Sequence, residues 1–144
     1  MTPDPPHSRP PQSAFDFPLG LPGFENERRF LLQVKPEFAP LVILQSAARA
    51  ELRFVCAPIQ FLDAEYRLDL VGDDRILLGC DAESDTPPAL LQLAILTFPE
   101  NGPPTANLLA PVVLNPKSAR GVQSIQSSSD YSERHPLRRE PPCS

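Results

Sequence analysis

The chain has 144 residues, of which 41% are apolar, 20 are proline and only 6 are glycine. This length suits one domain and the apolar fraction can build a core, while so many prolines exclude long helices, because each interior one removes a backbone donor and clashes with the preceding turn. The net charge of -5 argues against direct nucleic-acid binding, which needs a basic surface, and no apolar stretch approaches the roughly 20 residues of a membrane span.

Residues 1–12 hold five prolines and almost no apolar side chains, so they bury too little to offset ordering entropy and are expected to form a flexible arm. Residues 138–144 read as a similar flexible tail, which leaves a folded unit over 13–137. Within it, Phe30–Val34 and Leu41–Ser46 are apolar runs bounded by prolines, the signature of short strands. Leu52–Cys56 is the next strand, ended by Pro58. Tyr66–Leu70 alternates, with Tyr66, Leu68 and Leu70 on one face, as a half-buried strand does. Gly72-Asp73-Asp74 is expected to turn the chain into another short strand at Ile76–Leu78. Leu90–Phe98 is a strand by its β-branched and aromatic second half, or else a short helix capped by Asp85-Thr86-Pro87. Pro111–Asn115 and Val122–Ile125 complete the set. About eight short strands with no helix-length segment between them predict an all-β fold, a compact antiparallel sandwich or small barrel.

No catalytic constellation is visible. His7 lies in the arm and His135 near the end of the folded unit, and there is no GxSxG elbow, HExxH pair, phosphate loop or GxGxxG run. Cys56, Cys80 and Cys143 are odd in number and lack CxxC spacing, which suggests buried thiols in a reducing cytosol rather than disulfides or a zinc site. The N-terminus has no apolar signal region. The expectation is a cytoplasmic protein that is not an enzyme and needs no cofactor or metal.

The charge is unevenly spread. From Asp63 to Asp85 there are eight acids against two bases, either solvated turns or a docking face for a basic partner.

Three segments carry a family resemblance. The first is Gly20-Leu21-Pro22-Gly23-Phe24-Glu25 with Arg29-Phe30, in which Pro22-Gly23 predicts a type II turn that seats Phe24 in the core. The second is Thr105–Asn115 with Arg120-Gly121 and Gln123. Here Asn107 and Asn115 flank a short strand and suit side-chain bonds to neighbouring backbone, Leu108 and Pro111 lie between them, and Gln123 is a paired core polar group or a surface contact. The third is Asp130-Tyr131 with Arg134-His135-Pro136-Leu137, a closing segment packed by Tyr131 and Leu137 with Arg134 and His135 exposed. With the strand end Leu44-Gln45-Ser46, these pieces resemble the flagellar assembly factor FliW family from about Phe15 to Leu137.

The resemblance implies a β-barrel-like fold without known catalytic chemistry and two protein partners. One is flagellin in the cytoplasm. The other is CsrA, the translational repressor of flagellin messenger RNA, which FliW-like proteins antagonise by allostery when flagellin is exported. On that footing Asp69, Asp73 and Asp74 are candidates for a CsrA face, since a protein that holds RNA must be basic. An apolar groove for a flagellin helix makes Phe24, Phe61 and Leu108 candidates there. Two other classes stay open: an adaptor that binds an unrelated partner through polyproline at Pro5-Pro6 and Pro10-Pro11, and a small enzyme with an acidic pocket for a cation or sugar.

Overall fold

The computed structural model describes residues 12–70, 72–80, 90–127 and 131–137. The expected tail, all of the expected arm but Gln12, and the alternative cap at Asp85-Thr86-Pro87 lie outside the described residues, as do Asp81, Glu83, Asp85 and Cys143. The strands are β1 (Gln12–Asp16), β2 (Arg29–Val34), β3 (Val42–Ser46), β4 (Arg53–Pro58), β5 (Leu91–Thr97), β6 (Thr105–Ala106), β7 (Val112–Asn115), β8 (Arg120–Gln123) and β9 (His135–Pro136). Two short helices, α1 (Ile59–Leu62) and α2 (Gly72–Leu77), accompany them.

Seven strands close on themselves in the order β1-β2-β3-β4-β5-β7-β8, with β8 returning to β1 and the β4–β5 pairing completing the ring. Closure removes the exposed edges that an open sheet must protect. Neighbours are antiparallel except at the seam, where β1 and β8 run parallel and meet only at Asp16 and Arg120. The all-β barrel is the expected fold, and among the described residues this parallel seam is its one departure from the antiparallel expectation.

Alternation along the strands gives the barrel an inside and an outside. Phe15, Phe30, Leu32, Leu44, Cys56, Leu93, Val112 and Leu114 point inward into one cluster, joined by Phe17 and Leu21. Phe17 meets Phe30 edge to face at 5.3 Å, the geometry that ring quadrupoles favour. Cys56 is fully buried there and burial pushes its thiol up to about 12. The outward neighbours also need cover, and two outer faces are roofed by the chain itself. Ala57 and Ala94 on β4–β5 lie under Ile59, Tyr66 and Leu108, while Val113 and Val122 on β7–β8 lie under Leu78.

The segment that supplies both roofs differs from the expectation. Tyr66–Leu70 pairs with no strand. Its side chains do alternate as predicted, with Tyr66 buried, Arg67 and Asp69 exposed and Leu68 and Leu70 half-buried, but side chains satisfy its backbone instead of a ladder. Tyr131 Oη accepts from the Arg67 N–H at 2.9 Å and Gln126 Oε1 from the Asp69 N–H at 2.8 Å. Gly72-Asp73-Asp74 is not a turn before a strand but the start of α2, which ends at Leu77, so the expected strand at Ile76–Leu78 is also corrected. Acids in the first turn and Arg75 in the last suit the helix dipole.

Candidate functional site

The site is built where α2, the β8 end and the Gly20–Glu25 turn meet. The turn has the expected geometry: the Phe24 N–H donates to the Leu21 carbonyl at 2.7 Å and Gly23 has φ +87, the type II arrangement that proline and glycine together favour. Gly20 has φ +68 and no room for a side chain, because a Cβ there would lie 2.7 Å from the Glu25 backbone. The Glu25 carboxylate accepts from the Gly23 N–H at 3.1 Å, and that bond, with its own N–H, holds its pKa below the usual range. Phe24 is half-buried and packs edge to face on Phe54 at 5.6 Å.

The two asparagines do the structural work expected of them. Asn107 Oδ1 accepts from the Leu109 and Ala110 N–H groups at 3.1 and 2.9 Å. Asn115 Oδ1 accepts from the Lys117 N–H at 3.0 Å while its Nδ2 donates to the Leu78 carbonyl at 2.8 Å. Gln123 Nε2 donates to the Ala110 carbonyl at 2.9 Å, so Gln123 is a paired polar group, half-buried rather than core. Pro111 is buried and its carbonyl accepts from the Ser124 N–H. Ser46 Oγ donates to Glu27 at 2.6 Å and accepts from the Ala48 and Arg49 N–H groups, so the Leu44-Gln45-Ser46 end closes the β3–β4 turn.

α2 is pinned on β8. Ser124 Oγ donates to Asp74 Oδ2 at 2.6 Å, and Ser118 Oγ donates to the Leu78 carbonyl at 2.7 Å. Asp74 is thereby half-buried and internally engaged, whereas Asp69 and Asp73 are exposed. Tyr66 donates its hydroxyl to the buried Leu108 carbonyl at 2.6 Å. Burial, then the neighbouring Tyr131 and Asp63, raises its pKa well above the ordinary value.

Two adjoining depressions result. One lies at the barrel mouth between Pro22, Phe54, Ile95, Asn107, Leu109 and Glu133, and the other between Leu19, Asp73, Asp74, Ile76 and Leu77. They share Gln123 and Ile125 and so form one valley. Leu19, Ile76 and Ile125 are 63%, 70% and 65% exposed, too open to be core. Asp73 and Asp74 stand at one end and Glu133 at the other, and among the described residues no lysine, arginine or histidine lines the valley. Among the described residues no group of three or more histidines, cysteines or acids is placed to hold a metal ion, and no helix is long and apolar enough to cross a membrane.

The valley gathers Pro22, Asn107, Gln123, Asp73 and Asp74 from the residues singled out in the sequence. It does not gather the three apolar candidates. Leu108 is 2% exposed in the second cluster and is withdrawn as a contact residue, Phe61 is open on α1, and Phe24 supports the turn. Tyr131 and Leu137 pack on the second cluster as expected. His135 is not simply exposed: it is half-buried in β9, paired with Ala106. Sequence reasoning missed Leu19, Ile76, Leu109, Ile125 and Glu133 in the valley, and Ser124 and Gln126 beneath it. The one available signal was Ile125, an isolated apolar residue between Ser124 and Gln126; Leu19 lies between Pro18 and Gly20 and carries none.

Comparison with known proteins is consistent along the chain. The family model described as FliW protein matches residues 8–137. The chain is 39% identical over 123 residues to the flagellar assembly factor FliW of Syntrophomonas wolfei, covering 84% of this chain and 76% of that protein. It is 33% identical over 122 residues to the protein of the same name from Bacillus subtilis, covering 84% and 82%. A crystal structure of the flagellar assembly factor FliW superposes with a TM-score of 0.77 at 30% identity, over 89% of this chain and 87% of that one.

Proposed function

The chain belongs to the FliW family of flagellar assembly factors, and from that premise we propose that it works in the cytoplasm by binding two proteins in turn. It holds flagellin as a chaperone would. When flagellin is exported, it captures CsrA and lowers that repressor's affinity for flagellin messenger RNA by allostery.

The observation that carries this reading is the valley with apolar Leu19, Ile76 and Ile125 between acids at both ends. Exposed apolar side chains framed by charge of one sign are suited to a protein partner of the opposite sign, with the charges speeding encounter and setting orientation. A negative valley suits a basic RNA-binding protein and repels RNA itself. Asp73 is the clearest contributor because its side chain is exposed, and Asp69 lies exposed in the same segment. Asp74 contributes field, but its Ser124 bond also makes it structural.

The test is titration of the protein with CsrA from the same organism, on the parent and on Asp73→Lys. Binding that weakens several-fold in the variant, more at low than at physiological salt, is expected. An affinity unchanged at both salt concentrations, with the fold intact, removes the valley from the CsrA face.

A further inference from the structure

The barrel's outside is apolar in a third place, and there the roof is incomplete among the described residues: Leu41 and Val55 pack at its edge on the second cluster, and the rest lies open. Gln33, Ile43 and Val55 lie in register across β2, β3 and β4. They alternate with inward-facing Leu32, Leu44 and Cys56 and therefore face out. With Phe38, Leu41 and Phe98 around them they form a cleft of about 250 Å³ whose surface is almost wholly apolar. Phe38 and Phe98 are 51% and 58% exposed, so neither ring is needed to complete the core. Lys35 stands in the lining with no carboxylate in ion-pair reach among the described residues. Among the described residues the cleft shares no lining residue with the acidic valley.

We propose that this cleft is a second docking surface, which takes the apolar stripe of an amphipathic helix carrying a carboxylate beside the stripe, opposite Lys35. A cleft below roughly 300 Å³ is small for a drug-sized ligand but accommodates side chains from successive turns of one helix, which meet a groove at i, i+3 or i+4, and i+7. The two phenylalanines form the walls, and aromatic rings supply large apolar contact areas that dominate interface energetics. Lys35 fixes the direction of the helix, because only one orientation brings its carboxylate to the ammonium. The valley offers acids to a basic partner. The cleft offers the reverse polarity, and this separates the two partners by chemistry, while the bulk of either partner on so small a barrel keeps the other from binding at the same time. The inference rests on the flagellin branch of the function proposed above, since flagellin is the partner expected to present a helix.

The experiment is titration of purified flagellin into the parent and into Phe98→Ser, Phe38→Ser and Lys35→Glu, with CsrA titrated into each as the control. Because both rings are exposed, the serine variants should keep the parent Tm. The expected result is at least about a tenfold loss of flagellin affinity in each serine variant. Lys35→Glu should lose several-fold, and this loss should shrink as salt rises. CsrA affinity should stay within about twofold throughout. Parent protein that binds flagellin, with serine variants that bind it equally well, overturns the cleft and leaves the function standing. Parent protein that does not bind flagellin at all overturns both. A self-association that the serine substitutions abolish puts a second copy of the chain in the cleft and overturns the helix.

Discussion

Gln126 holds Asp69 as a neighbouring strand would. Its Oε1 accepts from the Asp69 N–H at 2.8 Å and its Nε2 donates to the Asp69 carbonyl at 3.2 Å, while Gln126 itself is only 4% exposed. One side-chain amide thus replaces the pair of ladder bonds that the Tyr66–Leu70 segment lacks. It also fixes the segment that leads into α2, and so sets where Asp73 stands at the valley's end.

Replacing Gln126 by alanine removes both bonds to the Asp69 backbone, and because Asp69 is exposed and water can replace them each is worth about 0.5–1.5 kcal/mol. We expect a loss of that order by denaturant unfolding, with faster exchange of the Asp69 amide than of the β-strand amides. Unchanged exchange at Asp69 would show that the amide pair does not hold the segment.

The first motif makes a sharper comparison between two glycines. Gly20→Ala places a Cβ 2.7 Å from the Glu25 backbone at φ +68, whereas Gly23→Ala meets nothing within 4 Å at φ +87. Both variants bear the left-handed penalty of about 1–2 kcal/mol, and only Gly20→Ala adds a clash with main chain that cannot yield. Thermal unfolding should therefore rank Gly20→Ala well below Gly23→Ala. Equal Tm values would contradict the close approach at Gly20.

Asn115 links the β7 end to the last residue before the Gly79 turn. Asn115→Ala removes the Nδ2 bond to the Leu78 carbonyl and the Oδ1 acceptor for the Lys117 N–H. A cost of about 1–3 kcal/mol is expected. Asn115→Asp keeps the acceptor but sets a carboxylate against the Leu78 carbonyl, so it should be destabilised at neutral pH and recover towards Asn115→Ala or better as acid protonates it. A flat pH response in the aspartate variant would show that the Leu78 contact carries little.

Stability should fall in alkali, with Cys56 as one cause. Its thiol ionises near 9.0 when unfolded and is held up to about 12 in the core. Below pH 9 both states keep the proton, and the full contribution is present. Between pH 9 and 12 only the unfolded chain releases it, so stability is lost at up to about 1.4 kcal/mol per pH unit. The raised pKa of Tyr66 acts in the same direction. Cys56→Ala, less stable at neutral pH for its lost packing, should show a shallower decline across this window in denaturant titrations. A parallel decline in both proteins would remove Cys56 as a cause.

The parts of this architecture that depend on local chemistry were legible in the chain. Strands at Phe30–Val34 and Leu41–Ser46 announce themselves because their apolar runs are long enough to show a pattern and are bounded by prolines, whereas Leu90–Phe98 was legible as an apolar run that favoured strand but left a short helix open. The Pro22-Gly23 turn and the asparagine bonds follow from the residues' own geometry. Tyr66–Leu70 showed its buried face but not its lack of a strand partner, because its backbone is satisfied by Gln126 and Tyr131, 57 and 64 residues away. α2 is six residues long, too short for a helical period to stand out against a turn. β1 was missed because Ser13-Ala14-Phe15-Asp16 is barely apolar, and β6 and β9 because two residues carry no pattern. The valley was only half legible. Its acids and motif residues were visible, but Leu19, Ile76 and Ile125 become a surface only when the seam of β1 and β8 brings their loops side by side.

The most direct test of the central claim is a titration of the purified chain with CsrA from the same organism, repeated with flagellin present. The account predicts a complex with CsrA that added flagellin takes apart. Failure to bind either protein under conditions where the chain is folded would contradict it.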